Sequence, residues 1–293
     1  MGQERLMRYF RPATLTEALD IRRSEDVAII AGGTDIYPAH ATRRAWGDPG
    51  HKDLLDISGI AELRGIEDRG DHVRIGALAA WTDLVRADRL PPLFDGMKEA
   101  ARQIGGMQVQ NRGTVVGNAC TASPAGDGIP NLLALDAVFE IAGQEPFRVP
   151  ASAFFTGYRA TACAPRCIVT GILVPKLGGR GRFVKLGARR HLVISIAMVA
   201  AVVEADGAGR IVAARVAVGA CSAVARRLPE LEAELAGVPV ADAARLAEPR
   251  HLAGLSPIDD VRASAAYRMT AARALVADCL AGFAHPAAQR RAA

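Results

Sequence analysis

Aromatic residues make up only 5 % of this 293-residue chain, and its surplus of positive charge is small. The 36 Lys and Arg exceed the 31 Asp and Glu by five, and the two signs are interspersed. Nucleic-acid surfaces need clustered cations with rings between them for stacking, so no nucleic-acid partner is expected. Cysteine is scarce too. Cys120, Cys163, Cys167, Cys221 and Cys279 are odd in number and scattered, which argues against a secreted disulfide framework and for a reducing compartment with buried thiols. Cys163 and Cys167 have no second pair at metal-site spacing and the six histidines form no HExxH, so neither zinc nor iron–sulfur is expected in this chain. No apolar run is long enough for a bilayer, no signal region opens the chain, and Leu6 stands where a myristoylation pattern requires Ser or Thr. A cytoplasmic protein without a membrane span is the expectation. No Ser-His-Asp, Cys-His or paired-carboxylate arrangement suggests itself either. Any catalysis must then come from a bound cofactor.

Small residues, in contrast, are concentrated. Residues 102–136 crowd six glycines among Thr114, Asn118, Thr121, Ser123 and Asp127, a composition that turns and exposes amides instead of building a core. Amides exposed in tight turns form concave anion sites, and the carboxylate of Asp127 suits ribose or ribityl hydroxyls. A second stretch matches it. Residues 26–36 run as an apolar strand through Ile29 and Ile30 into Ala31-Gly32-Gly33-Thr34-Asp35-Ile36. The spacing is neither GxGxxG nor GxxxxGK[ST], so Rossmann and Walker readings fail.

Ala31-Gly-Gly-Thr-Asp35, Thr114-Val-Val-Gly-Asn118 and Ala122-Ser-Pro-Ala-Gly-Asp127 together resemble the FAD-binding medium subunits of the molybdenum hydroxylases, the family of xanthine dehydrogenase and aerobic carbon monoxide dehydrogenase. The likeness covers nearly the whole chain. Val116 stands where the family usually has the first of two glycines, and Val193 where many relatives have Asp before Ile194-Ser195. The resemblance implies an α+β chain. Its FAD-binding PCMH-type domain would span 1–176, as two α/β subdomains of about 1–58 and 59–176, with a smaller C-terminal domain of antiparallel sheet and helices over 177–293.

By the same resemblance, FAD would take electrons from a [2Fe-2S] small subunit, supplied by a molybdopterin-binding large subunit, and pass them to an external electron acceptor, in a dimer of heterotrimers. The matching positions make Ile29, Ile30, Ala31, Gly32, Gly33, Thr34, Asp35 and Ile36 one half of a phosphate and adenosine cradle. Thr114, Val115, Val116, Gly117 and Asn118 make the other, with Asp127 as hydroxyl acceptor. Lys185 would lie beside the flavin, where an ammonium favours the negative charge of reduced flavin and of phosphate. Ile104 and Val169 would pack on the ring. Two rivals stand beside this reading: a stand-alone flavin reductase of the enolpyruvyl reductase type, and a cofactor-free assembly subunit.

The remaining elements follow from periodicity and turn chemistry. Thr14 and Glu17 have capping-box spacing before a short helix. Strands are expected over 27–31, 52–58, 73–77 and 167–175, with a helix over 79–104 and a buried apolar run over 132–141. Residues 176–182, with three glycines in seven positions, form the candidate domain boundary, and 183–190 read as strand and loop. A hairpin over 200–218 and helices over 225–235 and 263–283 complete the C-terminal part.

Overall fold

The computed structural model describes residues 7–48, 50 and 52–284. Strands β1 (Tyr9–Phe10), β2 (Val27–Ile30) and β3 (Asp53–Asp56) form a parallel sheet in the order β1-β3-β2, with helix α1 (Leu15–Ser24) between β1 and β2 and α2 (Ile36–Ala45) after β2. Thr14 caps α1 by accepting from the Glu17 amide at 3.2 Å, while Glu17 reaches back to the Ala13 amide at 2.9 Å, one residue earlier than a standard box. The third strand is shorter than the expected 52–58. Asp56 accepts from the Ser58 amide at 2.8 Å and turns the chain into a 3₁₀ segment, Ile57–Gly59. The other end of β3 is held by buried Asp53, which accepts from the Arg8 amide and Nε at 2.9 and 2.8 Å.

The next layer is an antiparallel sheet in the order β4-β5-β10-β6-β7, built from β4 (Ile66–Asp68), β5 (His72–Gly76), β6 (Val138–Ala142), β7 (Phe147–Pro150) and β10 (Ile168–Pro175). A separate hairpin comprises β8 (Phe155–Gly157) and β9 (Ala160–Thr161). Between β5 and β6 lie α3 (Trp81–Arg86), α4 (Asp95–Ala101), α5 (Met107–Arg112), α6 (Val115–Thr121) and α7 (Gly128–Ala134), with α8 (Ala151–Phe154) after β7. One helix over 79–104 is therefore a correction. Pro91 and Pro92 interrupt the pattern and start a 3₁₀ turn, Pro92–Phe94, before α4. The apolar run over 132–141 likewise divides between α7 and β6.

Strands β11 (Arg180–Leu186), β12 (Ala197–Ala205), β13 (Ile211–Gly219) and β14 (Arg226–Arg227) form a four-stranded antiparallel sheet, backed by α9 (Pro229–Leu235) and α10 (Ala265–Ala284). The helix expected from 225 starts later, because Arg226 and Arg227 extend the sheet and Pro229 takes a first-turn position that spares its missing N–H. Strand β12 is buried on both faces. Met198, Ala200 and Val202 join the core of the first two layers, while Ala197, Val199, Ala201 and Val203 join a second core with α9 and α10. The C-terminal sheet is thus a wall of the N-terminal core.

Buried Arg268 ties α10 to that sheet through Ile196 O at 2.6 Å and Ala220 O at 3.1 Å, and its Nη2 bonds Asp260 at 2.7 Å. The Arg262 amide above all, helped by Arg268 and the Ala263 amide, holds the Asp260 carboxyl down at about 2, against burial, which ranks second and pushes it up. A carboxyl depressed in the folded state contributes stability above its unfolded value near 3.8, and loses it as the pH falls toward 2. Urea midpoints at pH 5 and pH 2.5 are expected to differ less in Asp260→Asn than in the wild type.

Candidate functional site

Strand β2 ends in a bend that α2 continues. Gly33 sits at φ +74°, a conformation that side chains resist, and its carbonyl accepts from the Tyr37 amide at 3.2 Å. Gly32 is fixed by proximity instead, since a Cβ there would lie 1.9 Å from the carbonyl oxygen of Arg112. That oxygen belongs to the second bend, where α5 passes through Gly113 into α6. Thr114 caps α6 by accepting from the Gly117 amide at 2.9 Å. The Val115 amide donates to Ala79 O and the Trp81 amide to Gly113 O, both at 3.1 Å, which pins the bend to the buried start of α3. Across the junction, Thr121 Oγ1 bonds Asp35 Oδ2 at 3.1 Å.

The two bends flank one cleft of about 830 Å³ between the first two layers. Ile29, Ala31, Gly32, Gly33, Thr34, Asp35, Ile36, Ile104, Thr114, Val116, Gly117, Asn118 and Val169 all line it. Ile30 and Val115 do not. Ile30 is buried away from the lining at the end of β2, and Val115 belongs to the main core. The lining also contains residues that pattern reading left out: Trp81 of α3, the cations Arg22, Lys52 and Arg159, and three cysteines. The expectation of buried thiols is corrected for two of these, because Cys120 is exposed, Cys163 half-buried and only Cys167 buried.

The volume lies in the range of cofactor and ligand sites. The Asn118 Oδ1 atom is buried without a hydrogen-bond partner, and such orphans are rare unless a ligand or water meets them. An elongated, phosphate-bearing cofactor such as FAD fits these residues. The FAD binding domain of molybdopterin dehydrogenases matches residues 5–177, and the CO dehydrogenase flavoprotein C-terminal domain matches 182–282. The chain is a medium subunit of the molybdenum hydroxylase family. It is 31 % identical over 268 residues to the nicotine 6-hydroxylase medium subunit of Paenarthrobacter nicotinovorans, covering 89 % of this chain and 92 % of that one. The carbon monoxide dehydrogenase medium chain of Hydrogenophaga pseudoflava is 34 % identical over 170 residues, 57 % of this chain and 58 % of that one. A solved carbon monoxide dehydrogenase from the same organism, lacking the Mo-pyranopterin moiety, superposes with TM-score 0.85 at 29 % identity over 97 % of this chain and 99 % of that one. FAD is the cofactor of this medium subunit, an oxidoreductase component; in its family, molybdenum and iron–sulfur belong to other subunits.

Asp127 and Lys185 are absent from the cleft lining of the medium subunit and meet behind it. Lys185 Nζ lies 2.6 Å from Asp127 Oδ2, with both side chains buried. Ser195, which the sequence reading passed over, donates to Asp127 Oδ1 at 2.6 Å and is itself buried. Burial pushes the Asp127 carboxyl up, and Lys185 and Ser195 pull it back in part. Lys185 also reaches the carbonyls of Val193 at 3.3 Å and Gln103 at 3.4 Å. Ser195 stands in the Val193-Ile194-Ser195 triplet, which by itself gives no signal of this contact.

Proposed function

We propose that this subunit holds FAD between the two glycine bends and carries electrons from a [2Fe-2S] partner subunit to an external acceptor, within an assembly whose large subunit binds molybdopterin. The observation that carries this reading is the backbone contact of Gly32 with Arg112 beside a cleft of cofactor size. Backbone amides of the two bends would hold the diphosphate, and a hydroxyl or N–H of the cofactor would donate to the buried Asn118 Oδ1. FAD, when bound, supplies the hydride and electron chemistry that no side chain here provides. The chain orients it. Ile104, Val169 and Trp81 offer apolar walls, and no helix among the described residues is long and apolar enough to cross a membrane.

The cofactor-contact roles of Ile29, 31–36, Ile104, Thr114, Val116, Gly117, Asn118 and Val169 are part of this proposal, while Asp127 and Lys185 act from behind the cleft. Relatives named for nicotine, nicotinate and carbon monoxide share this subunit type. On this reading, substrate choice falls to the large partner. The purified chain is expected to absorb near roughly 450 nm, as bound flavin does, and to co-purify with a molybdenum subunit when its partners are co-expressed. A colourless, fully folded preparation would favour an assembly subunit without cofactor. A yellow chain that turns over alone and captures no partner would favour a stand-alone reductase.

A further inference from the structure

The ammonium of Lys185 has three N–H groups, and Asp127 Oδ2, Val193 O and Gln103 O supply three acceptors at 2.6, 3.3 and 3.4 Å. This charged ammonium reaches the carbonyl of Gln103, the residue before Ile104, which lines the cleft. How much of that charge the cleft feels depends on Asp127, the counter-ion. Asp127 Oδ1 has the Ser195 hydroxyl as donor, at 2.6 Å and buried with it. We propose that Ser195 is a positioning residue that holds Asp127 as a carboxylate against Lys185, and so sets the reduction potential of the cofactor in the cleft. This rests on the reading that FAD occupies that cleft.

Removing the hydroxyl leaves a buried carboxylate oxygen without a donor, a cost the site relieves by taking a proton onto Asp127. The lysine charge is then no longer neutralised. An uncompensated cation close to the site stabilises reduced flavin more than oxidised flavin, so the potential moves upward. Ser195 is reached from the loop after β11, and its neighbour Ile196 donates to Leu186 O at 2.8 Å, so a Ser-to-Ala change leaves the backbone pairing in place.

The test uses the full chain loaded with FAD, its potential measured by equilibration with a reference dye and its FAD binding by fluorescence titration. Ser195→Ala is expected to bind FAD stoichiometrically and to favour reduced over oxidised flavin about tenfold more than the wild type. For a two-electron couple that is a rise of about 30 mV. Ser195→Thr, which keeps the hydroxyl, should return the wild-type potential, and Ser195→Cys, a weaker donor, should fall between. An Ala variant that holds FAD at the wild-type potential overturns the proposal. If Ser195→Ala does not fold, a wild-type potential in Ser195→Cys overturns it equally. A wild-type chain unable to bind FAD is a different failure, one that removes the reading beneath this proposal and the proposal with it.

Discussion

Gly32→Ala is expected to strip the subunit of FAD while the C-terminal sheet stays folded. The added methyl would lie 1.9 Å from Arg112 O, 2.6 Å from the Arg112 carbonyl carbon and 3.0 Å from Gly113 Cα. All three are main-chain atoms, so no rotamer change relieves the clash. One bend must move by about an ångström, and overpacking of this kind costs about 1–3 kcal/mol. If the displacement is paid at the cradle, FAD affinity falls between about 5- and 150-fold. Gly33 provides the control. Its Cβ would clash only with side-chain atoms, the ring edge of Tyr37 at 2.7 and 2.9 Å, and Tyr37 is half exposed. The penalty in Gly33→Ala is then mainly conformational, about 1–2 kcal/mol at φ +74°, and Gly33→Val adds branching to it. Flavin-to-protein absorbance ratios should rank wild type above Gly33→Ala and Gly33→Ala above Gly32→Ala. Full occupancy in both Gly32→Ala and Gly33→Val would place the cofactor elsewhere.

The cradle was legible because its requirement is a backbone one. A bend that touches another bend demands glycine at Gly32, and a left-handed turn demands it at Gly33, so the composition of 31–35 and 113–118 pointed to these two bends. Val116 shows where such reading stops. The side chain is 3 % exposed and belongs both to the core and to the cleft wall, so a position glycine usually fills here serves packing. Val193 is similar. Its side chain packs on Gly187 and its carbonyl, which any residue would supply, accepts from Lys185. Contacts made through side chains distant in sequence left no local trace. Ser195, Asp127 and Lys185 lie on a loop, a turn and a strand, and nothing in their spacing announces a triad. The same holds for β12, whose apolar residues read as one hairpin strand although its two faces serve two cores.

Lys185→Met is expected to be the most destabilising single change in the buried network. It leaves Asp127 without its cation in a site where both side chains are less than a tenth exposed. Breaking such a pair costs about 3–5 kcal/mol, whereas replacing both partners by apolar groups is often neutral. Lys185→Met with Asp127→Leu should therefore recover much of the loss. The pH dependence separates this from simple loss of packing. Burial raises the Asp127 carboxyl above its ordinary value, so the folded chain binds that proton more tightly than the unfolded one. Stability linked to it is fully present below the unfolded carboxylate range, near about 4, and is lost as the pH rises through the folded value. Without the opposing pull of Lys185 the folded value moves further up. Urea unfolding of Lys185→Met should accordingly show a deficit that widens from pH 5 to pH 8, and Asp127→Asn in the same background should flatten it. A deficit independent of pH would mean that Lys185 stabilises by filling space, and that the carboxylate behind the cleft already carries its proton in the wild-type protein.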